Sequence, residues 1–343
     1  MKQFYCVCGA TIFFDSNHCI GCGSRLGFDP DSRIMLAISP VATEPNLFTT
    51  RSGQQYKLCE NGTVFDVCNW LIPLEDTHPL CWGCQFNRTV PNQALPHNDR
   101  RWRRLEEAKK RLLFTLMSLE IPLSNGWADP ERGLLLDFIE DSRNQPLYAE
   151  TFVTTGFLGG IITINALEAD EVARITTMLE MNENYRTVLG HLRHESGHYY
   201  WSRLDPDATT RADFVRTFGD PDQDYQQALE RYYRDGPPQD WRDHYISSYA
   251  SAHPAEDWAE SWGHYLHIYD ALETAAGLGI IDEQPDQMSI AERIETWRPL
   301  SLGLNELNRS VGHRDAYPFV INARVAEKLA FVDRVIVRLR IAN

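Results

Sequence analysis

His194, Glu195 and His198 form a His-Glu-x-x-His spacing inside the stretch His191-Leu-Arg-His-Glu-Ser-Gly-His-Tyr-Tyr-Trp201. On a helix, positions i and i+4 share a face, so His194 and His198 can turn two imidazole nitrogens toward one metal ion. Glu195 is rotated off that face toward the space beside the ion, where a water would bind. Two ligands, a nearby base and an open coordination position are what a zinc hydrolase requires. The competing reading is a helix with two solvated histidines.

A catalytic zinc wants three protein ligands, and this helix supplies two. Downstream stands Tyr249-Ala-Ser-Ala-His253-Pro254-Ala-Glu256-Asp257-Trp258-Ala259-Glu260-Ser-Trp-Gly-His264. Pro254 suits a first helical turn, and Glu256 and Asp257 complement a helix N-terminus. Glu256 and Glu260 stack at i and i+4, where like charges repel, so a cation or donor between them is expected. One of the two is then the third ligand; Glu256 fits that place, with Glu260 accepting the outer N–H of a ligating histidine. His264 extends the same face and is a weaker candidate for either role. The bland alternative, an acidic surface helix, conflicts with Trp258, Ala259, Trp262, Tyr265, Leu266 and Ile268, which predict a packed helix.

The elements that must hold these groups can be read from periodicity. Residues 184–204 lack Pro and place Val188, Leu189, Leu192, Tyr200 and Trp201 at helical spacing, although Gly190 and Gly197 weaken the pattern. Residues 133–140 and 160–166 read as strands. From Asp205 on the chain reads as helical, over 222–234, 254–275, 288–308 and 323–340, with Pro237-Pro238 in a loop.

All 8 Cys precede residue 85: Cys6, Cys8, Cys19, Cys22, Cys59, Cys68, Cys81 and Cys84. Cys19-Ile-Gly-Cys22-Gly and Cys81-Trp-Gly-Cys84 are knuckle-like, with Gly expected to let amides turn toward thiolates. Eight thiolates predict two structural zinc sites, the simplest grouping being Cys6/Cys8/Cys19/Cys22 and Cys59/Cys68/Cys81/Cys84; interleaved pairing is the alternative. Four disulfides in a secreted protein is the rival reading. The first residues form no signal-peptide core and nothing approaches a membrane span, so a reducing, cytoplasmic setting is expected.

At 343 residues about two domains are expected. The reading places a double four-cysteine module at 1–90, a linker at 91–98 with Asn98 or Asp99 capping the next helix, and a second domain at 99–343. Residues 99–120 form a basic amphipathic helix (Arg100, Arg101, Arg103, Arg104, Lys109, Lys110, Arg111), whose basic face is expected to be solvated. Nucleic acid is not favoured, because the chain carries 33 basic against 48 acidic residues, net −15, and the Cys module 6 against 8.

His-Glu-x-x-His followed by Glu256-x-x-x-Glu260 resembles the gluzincin pattern. Tyr249…Pro254-Ala-Glu256-Asp-Trp-Ala-Glu260 further resembles the anthrax lethal factor and Mlc titration factor type, with Asp257 where that arrangement has its first aromatic. With Tyr185–Trp201, His253–Ile268, Tyr317-Pro-Phe319 and the Cys-rich N-terminus, the chain is most similar to a bacterial family described as zinc-binding metallopeptidases with an N-terminal zinc ribbon. The resemblance implies an α+β chain: a small β-rich zinc ribbon, then a mostly helical zincin-like domain with a small sheet. It implies one catalytic zinc on His194, His198 and Glu256, base Glu195, and Tyr249 as donor to the oxyanion, with Tyr245 the nearby alternative. In such a domain an edge strand lines the cleft, and Gly160–Ala166 is the strand proposed for it. A protein or peptide substrate follows, and the ribbon is a possible site for a protein partner. The rival function is a zinc-ribbon adaptor whose second domain keeps its metal without activity; hydrolysis of a non-peptide amide is a third.

Overall fold

The computed structural model describes residues 2–42, 44–141, 153–180, 185–204 and 207–341. Asn184, the start of the expected metal helix, and Asp205 lie outside the described residues. The architecture is α+β, and the chain divides into two compact units, Met1–Phe114 with Leu123–Glu171, and Thr115–Pro122 with Val172–Asn343.

The first unit opens with a two-stranded ribbon, β1 (Phe4–Tyr5) and β2 (Thr11–Ile12). A five-stranded antiparallel meander follows, β3 (Arg25–Asp29), β4 (Ile34–Pro40), β5 (Leu47–Thr50) and β6 (Gln55–Leu58), then, after the short helix α1 (Glu60–Phe65), β7 (Leu71–Pro73). Phe28 N donates to Asn69 O at 2.8 Å, so the first strand returns against the chain entering the last. Ile38, Phe48, Tyr56, Leu58 and Leu71 fill this sheet. Phe4, Phe14, Phe28, Trp70 and Phe114 pack mostly edge to face beside it. The unit's second sheet has the order β10-β11-β9-β8, built from β8 (Asn87–Thr89), β9 (Leu135–Ile139), β10 (Gly156–Leu158) and β11 (Ile161–Asn165), with α2 (Asn98–Ser118) between β8 and β9.

Three expectations fail here. The strand at 160–166 is not an edge: β11 lies between β9, parallel to it, and β10, antiparallel to it. Gly159 and Gly160, at φ +57° and +85°, make the two-residue hairpin that adds β10 outside it. The basic face of α2 is not simply solvated either. Lys109 is fully buried, with its ammonium 2.6 Å from Glu106 Oε2 and 2.9 Å from Asn87 Oδ1. Burial disfavours its charge, but Glu106 and the Cys84 and Cys81 sulfurs outweigh that and raise its pKa. Lys110 is buried on Val67 O and Asn69, and Arg111 pairs with Asp15. Asn98 and Asp99 both sit inside α2 rather than capping it; Asn98 spends its side chain on Asn92 O (2.9 Å) and Arg101 (3.0 Å).

The second unit is helical: α3 (Glu171–Glu180, whose first residue belongs to the first unit), α4 (Val188–Arg203), α5 (Ala208–Phe218), α6 (Tyr225–Asp235), α7 (Trp241–His244), α8 (Pro254–Gly277), α9 (Ile290–Ser310) and α10 (Ala323–Ile341). Phe214, Phe218, Trp258 and Phe331 form an aromatic core between α5, α8 and α10. Among the described residues no helix is long and apolar enough to cross a membrane.

Candidate metal centre

α4 carries the His-Glu-x-x-His motif mid-helix, as the spacing requires. Thr187 caps it, its Oγ1 accepting from Gly190 N at 2.9 Å. Arg193 near its start pairs with Asp270 late in α8, while Trp201 near its end meets Trp258 early in α8, so the two helices run antiparallel. Their contact is pinned by polar groups: Trp258 Nε1 donates to Gly197 O (2.9 Å) and Trp262 Nε1 to Ser196 Oγ (3.0 Å).

Gly197 makes the close approach possible. A Cβ there would stand 3.1 Å from Ala259 Cα and from two atoms of Trp262, tighter than ordinary contact. Gly197→Ala is therefore expected to cost about 1–3 kcal/mol of stability by overpacking and to weaken zinc binding by parting the helices. A urea midpoint and a zinc affinity both equal to wild type would contradict this.

α8 begins at Pro254, with His253 as its cap: His253 Nδ1 accepts from Ala255 N at 3.0 Å, which leaves Nε2 to donate to Gln223 O at 3.2 Å. The first turn then delivers Glu256 to the histidines. His194 Nε2 and His198 Nε2 face each other at 3.2 Å; Glu256 Oε2 lies 3.0 Å from the first and Oε1 3.4 Å from the second. Two nitrogens bound to one tetrahedral zinc at about 2.05 Å would be roughly 3.3 Å apart. Glu256 is 1% exposed, and its Oε2, though near His194, has no aligned hydrogen-bond partner. Two imidazole nitrogens facing the two oxygens of one buried carboxylate fit a cation, and by donor chemistry zinc. Burial disfavours charge on both groups, yet the Glu256 and Glu260 carboxylates raise the His194 pKa well above normal, and the two histidines hold Glu256 well below its normal value.

The other expected residues are distributed around this trio. Glu260 Oε1 accepts from His194 Nδ1 at 2.8 Å, and its Oε2 from Ser247 Oγ at 2.5 Å. In a neutral, ligating His194 this would leave the lone pair on Nε2, facing Glu256. Burial opposes Glu260's charge, but His194 brings its pKa down to about 2. Glu195 is buried beside the trio, and burial raises its pKa, the direction a general base working near neutrality needs. Tyr249 stands with its ring 6.1 Å from that of His194. Tyr245 instead stacks on Lys328 at 4.2 Å. His264 turns away from the trio to Tyr317, Nδ1 to hydroxyl 3.0 Å. Two contributors have no periodic or motif signal in the sequence: Ser247, and Tyr225, whose hydroxyl donates to Glu256 Oε1 at 2.7 Å.

The eight cysteines are free thiols gathered as Cys6/Cys8/Cys19/Cys22 and Cys59/Cys68/Cys81/Cys84. Sulfurs stand 3.7 Å apart for Cys6 and Cys22, 3.6 Å for Cys8 and Cys19 and 3.6 Å for Cys68 and Cys81. The edge of a tetrahedral zinc–thiolate site is about 3.8 Å, given Zn–S near 2.3 Å. The one-residue Cys6-Val-Cys8 spacing closes through Gly9, at φ +85°, whose amide donates to Cys6 O at 2.8 Å. Gly83 serves differently from the expectation: its φ of −67° suits any residue, and what it provides is room, since a Cβ would stand 3.0 Å from the Trp70 ring. Amides that approach sulfur in the second group include Trp70 N on Cys68 and Cys81 N on Cys59, both at 3.4 Å.

Comparison with known proteins agrees with both halves of the chain. A family profile described as "Putative zinc-binding metallo-peptidase" matches residues 98–335, and a zinc-ribbon domain profile matches residues 3–95. Uncharacterized proteins from two strains of Mycobacterium tuberculosis and from Mycobacterium bovis are each 40% identical over 347 residues, covering 98% of this chain and 95% of their own length. No solved structure matches the chain significantly.

Proposed function

This chain belongs to the family described as "Putative zinc-binding metallo-peptidase", and we propose that it hydrolyses peptide bonds at one zinc held by His194, His198 and Glu256. The reading is gluzincin-like, with residues 1–90 as the zinc ribbon, 91–98 as linker and 99–343 as the catalytic domain. Its main support is the convergence of His194 Nε2 and His198 Nε2 on the buried Glu256 carboxylate, whose Oε2 lacks an aligned hydrogen-bond partner. Zinc bound there would supply a Lewis acid and bring the pKa of water toward ~7.

The protein's own groups do the rest. Glu195 takes the proton of the water that attacks the scissile carbonyl and hands it to the leaving amine. Tyr249 donates to the developing oxyanion, a role worth roughly 3 kcal/mol when well placed. Glu260 holds the His194 ring through Nδ1. The two Cys sites are structural, and their metal supplies much of the folding energy of the ribbon. Eight thiols kept as ligands fit a reducing, cytoplasmic setting.

The substrate is a protein or peptide, of narrow range, so the test must find it. A Glu195→Gln form loaded with zinc is used to trap a cellular partner, and wild type is then offered that partner. Cleavage by wild type, with a new amino terminus identified by mass spectrometry, supports the reading. A trapped partner left intact by zinc-loaded wild type rejects it. A second reading, a docking role for the ribbon, is favoured by Ile20, Phe13 and Val7 beside the first Cys site, 95%, 73% and 67% exposed.

A further inference from the structure

We propose that Tyr225 is a positioning residue of the metal centre, holding one oxygen of Glu256 so that the other faces the ion. The inference rests on the reading of Glu256 as a metal ligand. Tyr225 is the first residue of α6, which Asp224 caps by accepting from Gln227 N at 2.9 Å. Its ring packs edge-on against the His253 ring at 5.1 Å, and His253 Nε2 is tied to Gln223 O at 3.2 Å. The cap of α8 and the start of α6 are thus fixed to one another, and the phenol is set between them.

From that position the hydroxyl donates at 2.7 Å to Glu256 Oε1, which lies 3.4 Å from His198 Nε2, while Oε2 stays without an aligned hydrogen-bond partner 3.0 Å from His194 Nε2. The two oxygens of one carboxylate are therefore chemically distinct: Oε1 is occupied by a donor and Oε2 is free to ligate. A carboxylate with both oxygens free can close on a cation through both, taking up the position a water needs. The Tyr225 hydroxyl prevents this by reserving Oε1. It also restrains the carboxylate rotation, as partners of ligands do elsewhere.

The test is Tyr225→Phe, which keeps the ring against His253 and removes only the hydroxyl, with Gln226→Ala on the exposed side of α6 as control. Affinity for the zinc that His194→Ala abolishes is measured by chelator competition, alongside the visible absorption of the cobalt-substituted full chain and its thermal midpoint. The expected result is about 10–100-fold weaker zinc binding, a weaker cobalt absorption reporting a higher coordination number, and an unchanged midpoint when the substitution is made in the His194→Ala background, where this zinc is absent. The control should match wild type. Zinc affinity and cobalt spectrum both equal to wild type would overturn the inference while leaving the metal reading intact. Wild type that takes up no zinc or cobalt at this centre would overturn both.

Discussion

Glu195→Gln is expected to leave zinc uptake at the wild-type level while lowering kcat/KM on a cleaved substrate by about 10²–10⁴-fold, the usual contribution of a positioned acid–base group. The side chain is buried, is not among the three grouped ligands, and lies one residue from His194 on the same helix. Gln matches its shape but cannot accept the proton of the attacking water. The two readouts separate the roles: a ligand would lose metal with activity, and a base loses activity alone. Steady-state kinetics and metal analysis on the same preparation check it, and a variant as active as wild type would remove Glu195 from the mechanism.

The largest stability effect is expected away from the reacting groups. Arg193, one residue before His194, is 5% exposed and pairs with Asp270, which is 6% exposed and also accepts from Thr115 Oγ1 at 2.7 Å. This pair joins α4 to α8 inside the second unit. Asp270→Ala leaves a guanidinium buried without its carboxylate, a change that costs about 3–5 kcal/mol. Urea unfolding should show that loss, and the zinc affinity of the histidine site should fall with it because the two helices share the ligands. A loss under about 1 kcal/mol would mean that the charge of Arg193 is compensated by other groups.

The ligand helix and its acidic counterpart are legible because their signals are local. Positions i and i+4 fix His194 with His198 and Glu256 with Glu260, and Pro254 marks where the second helix starts. What is not legible depends on contacts between elements distant in sequence. Tyr225 reaches Glu256 across 31 residues and Ser247 reaches Glu260 across 13, with loops between that carry no periodicity. Asp270 and Glu273 look alike in the sequence, and only the packing of α4 selects Asp270 as the partner of Arg193. Lys109 and Lys110 read as solvated because a basic run normally is; the anionic Glu106 and the sulfurs of Cys81 and Cys84 are what draw Lys109 inside. The Gly159-Gly160 hairpin, by contrast, is a local signal that the strand reading passed over.

The most direct test is the zinc content of the purified full chain and of its His194→Ala variant. Wild type should carry three zinc ions per chain and the variant two, with the Cys sites untouched. Three ions in both, or two in both, would mean that His194, His198 and Glu256 do not hold a metal together.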